Sequence, residues 1–568
     1  TQCSYSEGSN KGREMEEKRT RGEPRVLEWV SDVPPPPVPK TNWASFMLER
    51  IAAHGENIAT IDALTGENRK YSWYLTSVPK VAGGLAAAGI EPGHSVILLT
   101  ISHLDYPLLL LAVTYLGATC VLLSPDLSQE ELARSIRVCQ AQWAVIHSSA
   151  QRLLDGAQTL LPTGTLRRVW LLDPGTSSAG HTLTHLLQAQ PIQAHSLGVE
   201  SQRTVAVVFF SSGTTGVPKG VMLSHSNLTV PLWLNRYAAS LLGGGDEEAG
   251  FALMRVKYLM MMLVLPLHHV YGYSMITGNL YIGGTTLLLP VFSPQRFLSA
   301  IEQFKVRLCP VVPHLVSFLA DTPLLDRYDL TSLEVMFSAA APLPVSTHTN
   351  IINKTGINLM SGYGMTEVAS VTTNGSVYGF CLGSVGRVMP YTKVKIIDPE
   401  TGRMLAEGEE GEVCVKSLTV MLGYINNPAA TAAMIDSDGW LHTGDLGYYN
   451  SDGFLFLTDR IKDLIKVKGF QVSPKQVEEV LMGMEGVGEV AVVGVPHPRT
   501  GEAARAYVVP KPSARLSPAL LQRYVAERLA PHKHLTGGVE LLEMLPRNQS
   551  GKVLKKKLIE SYIASSKL

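Results

Sequence analysis

The 568-residue chain predicts an α/β fold: a large N-terminal part built on parallel sheet, then a small α+β C-terminal domain. Three observations carry this. Short, β-branched apolar runs alternate with helical patterns over most of the chain, as in sheets covered on both faces. The length exceeds what one hydrophobic core serves. Near Asp459 the texture changes to a basic segment followed by two short helix–strand units.

In chain order, residues 1–40 are charged and end in "PPPPVP", which reads as a disordered tail feeding a stiff extended segment. Residues 41–458 hold the large domain. "PLLLLAVTYLGATCVLL" (Pro107–Leu123) reads as a buried helix running into a buried strand. It is short for a bilayer span and is interrupted by Pro107 and Gly117. "VAVVFF", "LMMMLVL", "TTLLLP", "VRLCPVV" and "LEVMFS" read as strands buried on both faces. No period of about 20 to 50 residues repeats, which excludes a solenoid.

Residues 459–568 form the small domain, entered through "DRIKDLIKVKG", a hinge carrying Arg460, Lys462, Lys466 and Lys468. In "SPKQVEEVLMGM", Ser473 caps a helix, Pro474 suits its first position and Gln476 completes a capping box. Val477, Val480, Leu481 and Met484 then share one face. "SPALLQRYVAERL" repeats the Ser-Pro start with Leu521, Val525 and Leu529, and "EVAVVGV" and "ARAYVVP" supply strands.

Composition narrows the function. Lys+Arg and Asp+Glu both number 49, so nothing favours a nucleic-acid or membrane-surface partner. The six cysteines are scattered without a CxxC, against a disulfide scaffold or a zinc ribbon.

"SSGTTGVPKG" (Ser211–Gly220) directly follows "VAVVFF". A strand leading into a Gly/Ser/Thr loop and a helix start is a phosphate cradle: glycines let backbone N–H groups approach, hydroxyls add donors, and Lys219 adds charge. It is not the kinase P-loop, because Val217 and Pro218 separate Gly216 from Lys219.

The string resembles the signature of the adenylate-forming superfamily: acyl-CoA synthetases, 4-coumarate–CoA ligases and beetle luciferases. "LPLHHVYGY", "AAAPLP", "SGYGMTE", "GSVGRVMP", "MLGYINNPAAT", "GWLHTGDLGYYNSDGFLFLTDRIKDLIKVKGFQVSP" and "PRNQSGKVLKK" follow in that family's order, from about residue 45 to 560. The resemblance implies α/β subdomains plus a small β-barrel, a mobile C-terminal domain, and ATP-driven activation of a carboxylic acid.

What the resemblance implies for single residues follows from that chemistry. Two anions must meet while pyrophosphate leaves, so positioning and charge neutralisation dominate. Ser211, Ser212, Gly213, Thr214, Thr215 and Lys219 hold phosphate; Thr366 and Glu367 meet the α-phosphate and Mg²⁺. Ala339, Ala340, Ala341, Pro342, Ser361 and Tyr363 frame the adenine, and Asp445 and Arg460 serve the ribose. Lys552 stabilises the charge between carboxylate and α-phosphate. His269, Tyr271, Ala340, Gly362, Lys462 and Lys466 border the acyl group, and Lys468 and Gly469 guide CoA after a domain rotation. His268 and His269, adjacent on an extended segment, face opposite sides and cannot share a metal; His268 is read as packing.

Ser361 and Ala339 replace residues more common in the family, and "GGGDEEAGFALMRVKYLMMM" (Gly243–Met262) is unlike it, so the acid stays unnamed. The terminal Ser566-Lys567-Leu568 is a peroxisomal address read by an import receptor. Acyl-CoA formation is the primary reading; a luciferase oxidising the same adenylate with O₂ and a non-catalytic nucleotide-binding homologue are the alternatives.

Overall fold

The computed structural model describes residues 23–29, 37–173, 181–193, 200–211, 218–247, 249–250, 259–375, 378–468, 470–512, 514–548 and 551–565. Four sheets organise them. An eight-stranded sheet has the spatial order Gly423–Tyr424, Lys219–Ser224, Val205–Ser211, Thr119–Leu123, Ser95–Leu99, Trp143–Ile146, Arg168–Leu171 and His181–Thr182. Its interior pairs are parallel, and its strands read as unbroken apolar runs because helices cover both faces. Pro107–Leu123 is resolved as expected into the buried helix Tyr106–Tyr115 and the buried strand Thr119–Leu123.

A nine-stranded sheet holds Met260–Leu263, Thr285–Leu288, Leu308–Val311 and Val335–Ser338 in parallel register, extended by Asn358–Met365. These are the strands expected from "LMMMLVL", "TTLLLP", "VRLCPVV" and "LEVMFS". One large apolar cluster, with Trp43, Tyr71, Tyr106, Phe209 and Phe297 at or near zero exposure, joins the two sheets.

Three expectations change here. The stretch after the phosphate loop is not a helix start. Lys219–Ser224 returns antiparallel along Val205–Ser211, with Lys219 opposite Ser211, and the helix begins only at His225. Val221 and Leu223 are buried and pair into the sheet, so tertiary packing outweighs the loop-to-helix pattern. The implied β-barrel is a five-stranded antiparallel sheet, Leu27–Glu28, Thr392–Ile397, Gly411–Ser417, Leu441–Tyr449 and Leu455–Arg460, whose outer strands do not pair with each other. It closes instead on the nine-stranded sheet through Tyr363, Val368 and Val371. Within the tail, Leu27–Glu28 is ordered as an edge strand beside Thr392–Ile397, and the Arg25 guanidinium lies 5.4 Å from the Tyr449 ring centre.

The C-terminal sheet pairs Val487–His497 with Gly501–Pro510, which also contacts Ile465–Val467 and Val539–Leu541. Pro474–Met482 and Pro518–Ala526 pack on it through Val477, Leu481, Leu521 and Val525. Ser473 caps as expected, accepting the Gln476 N–H at 3.2 Å. The reciprocal half of the capping box is absent, because the Gln476 side chain accepts from Lys533 Nζ at 2.6 Å instead.

Candidate active site

A cavity of about 1930 Å³ lies where the strand ends of the large domain meet the small domain. Ser211, Lys219, His269, Tyr271, Ala339, Ala340, Gly362, Tyr363, Thr366, Glu367, Arg460, Lys462 and Lys552 all line it. Ser212, Gly213, Thr214, Thr215 and Gly469 lie outside the described residues, as do Ser566, Lys567 and Leu568.

On one side of the cavity, Lys219 opens its strand, and its ammonium sits 4.9 Å from the Tyr424 ring centre. Tyr424 donates its hydroxyl to Glu367 Oε1 at 2.8 Å. Pairing of Gly423–Tyr424 with Lys219–Ser224 brings this tyrosine there. Burial and the Glu367 charge push the Tyr424 phenol up. Cation, aromatic ring and buried carboxylate thus form one wall. Glu367 is a hard oxygen donor at the cavity surface, a fit for Mg²⁺.

On a second side, Asp445 and Arg460 face each other across antiparallel strands, and Arg460 Nε lies 2.7 Å from Asp445 Oδ1. Tyr363 donates its hydroxyl to the other oxygen at 2.7 Å. Asp445 is therefore buried beneath the cavity and presents itself through Tyr363 and Arg460. Ala339 and Ala340 border the cavity directly, and Ala340 holds φ 74°. For a residue with a Cβ this left-handed geometry costs roughly 1–2 kcal/mol. Ala341, Pro342 and Ser361 are not in the lining; Ala341 and Pro342 are exposed.

On a third side, His269 caps the Val270–Tyr281 helix by accepting the Tyr271 N–H. The Tyr271 hydroxyl donates to the Phe337 carbonyl at 2.5 Å, fixing this wall to the central sheet. Burial, helped by the Lys552 charge, pulls the His269 imidazole down to about 4, so it is neutral at pH 7. His268 is a correction: it lines the same cavity instead of packing away from it. The segment turns before the helix, so strand alternation does not separate the two rings. Lys466 is another: Ile465 and Val467 are buried, which turns Lys466 outward and away from the cavity. Lys468 is exposed at the hairpin turn with φ 51°.

Lys552 arrives from the small domain on a hairpin. Asn548 accepts the Lys552 N–H on its side chain at 2.8 Å, and the Asn548 N–H donates to the Lys552 carbonyl at 3.0 Å. Burial first, then the Arg460 charge, lowers the Lys552 ammonium below the ordinary lysine value. The neighbouring Gly551 holds φ +79°, and a Cβ there would lie 2.3 Å from the His314 ring of the large domain. Only a glycine lets this hairpin dock so closely. Sequence reasoning passed over Tyr424, Asn548 and the Gly551 contact, although "MLGYINNPAAT" and "PRNQSGK" contain all three.

The chain matches the family model of the AMP-binding enzyme over residues 48–425, and that of the AMP-binding enzyme C-terminal domain over 476–552. It is 32% identical to the peroxisomal OPC-8:0-CoA ligase 1 of Arabidopsis thaliana, covering 94% of this chain and 96% of that one. It is 31% identical to a probable 4-coumarate–CoA ligase 1 of Dictyostelium discoideum, covering 93% and 95%. ATP-bound MatB from Rhodopseudomonas palustris superposes with a TM-score of 0.81 at 28% identity, over 92% of this chain and 98% of that one. The apo form of MatB gives 0.69 over 92% and 99%. The structure is thus closer in shape to the nucleotide-bound form.

Proposed function

Because the chain belongs to the AMP-binding enzyme family, we propose that it is an acid–CoA ligase working in two half-reactions. A carboxylate attacks the α-phosphorus of ATP and pyrophosphate leaves. The CoA thiolate then attacks the acyl-AMP carbonyl and AMP leaves. The observation that carries the reading is the Lys552 hairpin, docked so that its ammonium shares one cavity with Lys219, Glu367, Tyr363 and Arg460.

In the first half-reaction, Lys219 and the loop before it take the β- and γ-phosphates. Tyr363 and Arg460, both anchored on Asp445, hold the nucleoside. Lys552 spans the carboxylate and the α-phosphate, where negative charge builds up. A fixed cation in a partly desolvated site costs no reorganisation at that moment. Glu367 would hold Mg²⁺, which supplies charge neutralisation on the phosphates. Neutral His269 and Tyr271 border the acid without adding a charge that would compete for its carboxylate.

In the second half-reaction the small domain turns about the segment near Asp459, withdraws Lys552 and presents Lys468 and Gly469 to CoA. That the domain boundary lies at 458/459 is part of this proposal. The acid itself is of the apolar acyl or aryl class. Leu232, Met275, Leu308, Val335 and Met360 contribute apolar surface to the same cavity as His269. The terminal Ser-Lys-Leu supports import into peroxisomes by the tripeptide receptor. No described helix is long and apolar enough to cross a membrane.

Pyrophosphate release across a panel of carboxylic acids, with and without CoA, tests the reading. Release with acid and ATP, and thioester when CoA is added, is expected. No acid-dependent release from any member of the panel would refute it.

A further inference from the structure

Outside the phosphate and acyl walls, a second group of donors meets on the five-stranded sheet. Glu412 and Cys414 are two residues apart on the Gly411–Ser417 strand, and His442 is the cross-strand partner of Cys414 on Leu441–Tyr449. The register therefore brings a carboxylate, a thiol and an imidazole together, all donor atoms within 4.8 Å of one another. Nδ1 of His442 is 3.6 Å from Cys414 Sγ and 3.0 Å from Glu412 Oε2. Donors around a tetrahedral zinc, at about 2.3 Å for sulfur and about 2.0–2.1 Å for nitrogen and oxygen, are separated by about 3.3–3.6 Å. The two separations from His442 Nδ1 already approach that geometry, and the third lies within 4.8 Å.

A second, independent feature points the same way. Nε2 of His442 lies 3.5 Å from Asp436 Oδ2, and Asp436 Oδ1 is fixed by the N–H groups of Asp438 and Trp440. A carboxylate on the far nitrogen of a ligating histidine orients the ring and raises its basicity. The other Glu412 oxygen accepts the Gly444 N–H at 3.0 Å, so that ligand too is held. Glu412 and His442 line the active-site cavity while Cys414 is buried behind them, leaving a fourth position open to solvent or ligand.

We propose that Glu412, Cys414 and His442 form a binding site for a borderline divalent transition metal of the zinc class. It is distinct from the magnesium position at Glu367. Thiolate and imidazole donors select such an ion over magnesium. On binding, the Cys414 S–H bond breaks and its proton leaves to solvent as the sulfur–metal bond forms. Glu412 enters as the carboxylate and His442 as neutral imidazole through Nδ1, so one thiol proton is released per metal bound. No oxidant or reductant is needed.

The test is titration of the full-length, chelator-treated protein with Co²⁺, followed by ultraviolet and visible absorbance. One Co²⁺ per chain with a sulfur-to-cobalt charge-transfer band is expected, displaced by Zn²⁺ and untouched by excess Mg²⁺. Cys414→Ser should abolish the band, His442→Gln should weaken binding at least tenfold, and Asp436→Asn by about 10–100-fold. Cys381→Ala, altering a cysteine outside the trio, should leave the band unchanged. Circular dichroism checks that each variant is folded. A wild-type protein with no saturable band overturns the proposal without any variant. So does a band that persists in folded Cys414→Ser; the trio is then a hydrogen-bonded cluster only.

Discussion

Lys552→Ala removes the cation that the small domain carries into the cavity. A unit charge about 4 Å from developing negative charge, at an effective dielectric of about 20, contributes about 4 kcal/mol. At about 1.36 kcal/mol per decade that is about three orders of magnitude in rate. The charges of Asp445 and Asp463 near Lys552 offset part of this, so a loss of about 10²- to 10³-fold is expected in adenylation. Acid-dependent exchange of labelled pyrophosphate into ATP isolates this half-reaction; thioester formation from synthetic acyl-AMP and CoA isolates the other. The second should fall less than about tenfold. Equal loss in both would refute a role confined to the docked arrangement. The pH profile gives a further readout. Burial favours the neutral amine, so Lys552 sheds its proton below the ordinary 10.5 and the alkaline limb of adenylation should begin early. In Lys552→Arg, whose guanidinium stays charged, whatever activity remains should lose that limb.

Further expectations follow from neighbouring contacts. Gly551→Ala sets a Cβ against His314 and should misplace the hairpin, lowering adenylation by up to about 10²-fold while sparing the thioester step; unchanged exchange would show that docking tolerates the methyl group. Glu367→Gln keeps the shape but loses the anion, so the Mg²⁺ concentration for half-maximal exchange should rise several-fold; an unmoved midpoint places the metal elsewhere. Lys468→Glu reverses an exposed charge at the hairpin turn and should raise the KM for CoA by about tenfold or more, with pyrophosphate exchange intact. A fluorescent fusion ending in Ser566-Lys567-Leu568 should be punctate with a peroxisomal marker and diffuse once the tripeptide is deleted; a diffuse parent fusion removes the address.

Much of the architecture was legible because local chemistry specified it. Unbroken apolar runs can be satisfied only inside a covered parallel sheet, and "LMMMLVL", "TTLLLP", "VRLCPVV" and "LEVMFS" form one. Ser473 and Ser517 cap helices because serine followed by proline suits the first turn whatever the fold. The strand followed by "SSGTTGVPKG" stood out by its glycines, hydroxyls and lysine, whereas Glu367 and Lys552 stood out only through the family strings that contain them.

What the sequence left open depends on partners far along the chain. Lys219 returns antiparallel because Val221 and Leu223 complete a buried sheet with Val207 and Phe209, a reward that no ten-residue window contains. Gln476 abandons its own helix start for Lys533, 57 residues away. His268 enters the cavity because the chain turns to start a helix, and Lys466 leaves it because its neighbours are buried. Tyr424 joins the cavity wall beside Lys219 and Glu367 only through a two-residue strand pairing with Lys219–Ser224. Residue types and short-range capping were thus set by the sequence itself. Register, domain docking and the choice between competing hydrogen-bond partners were decided by tertiary structure, because burial free energy accrues only when distant segments meet.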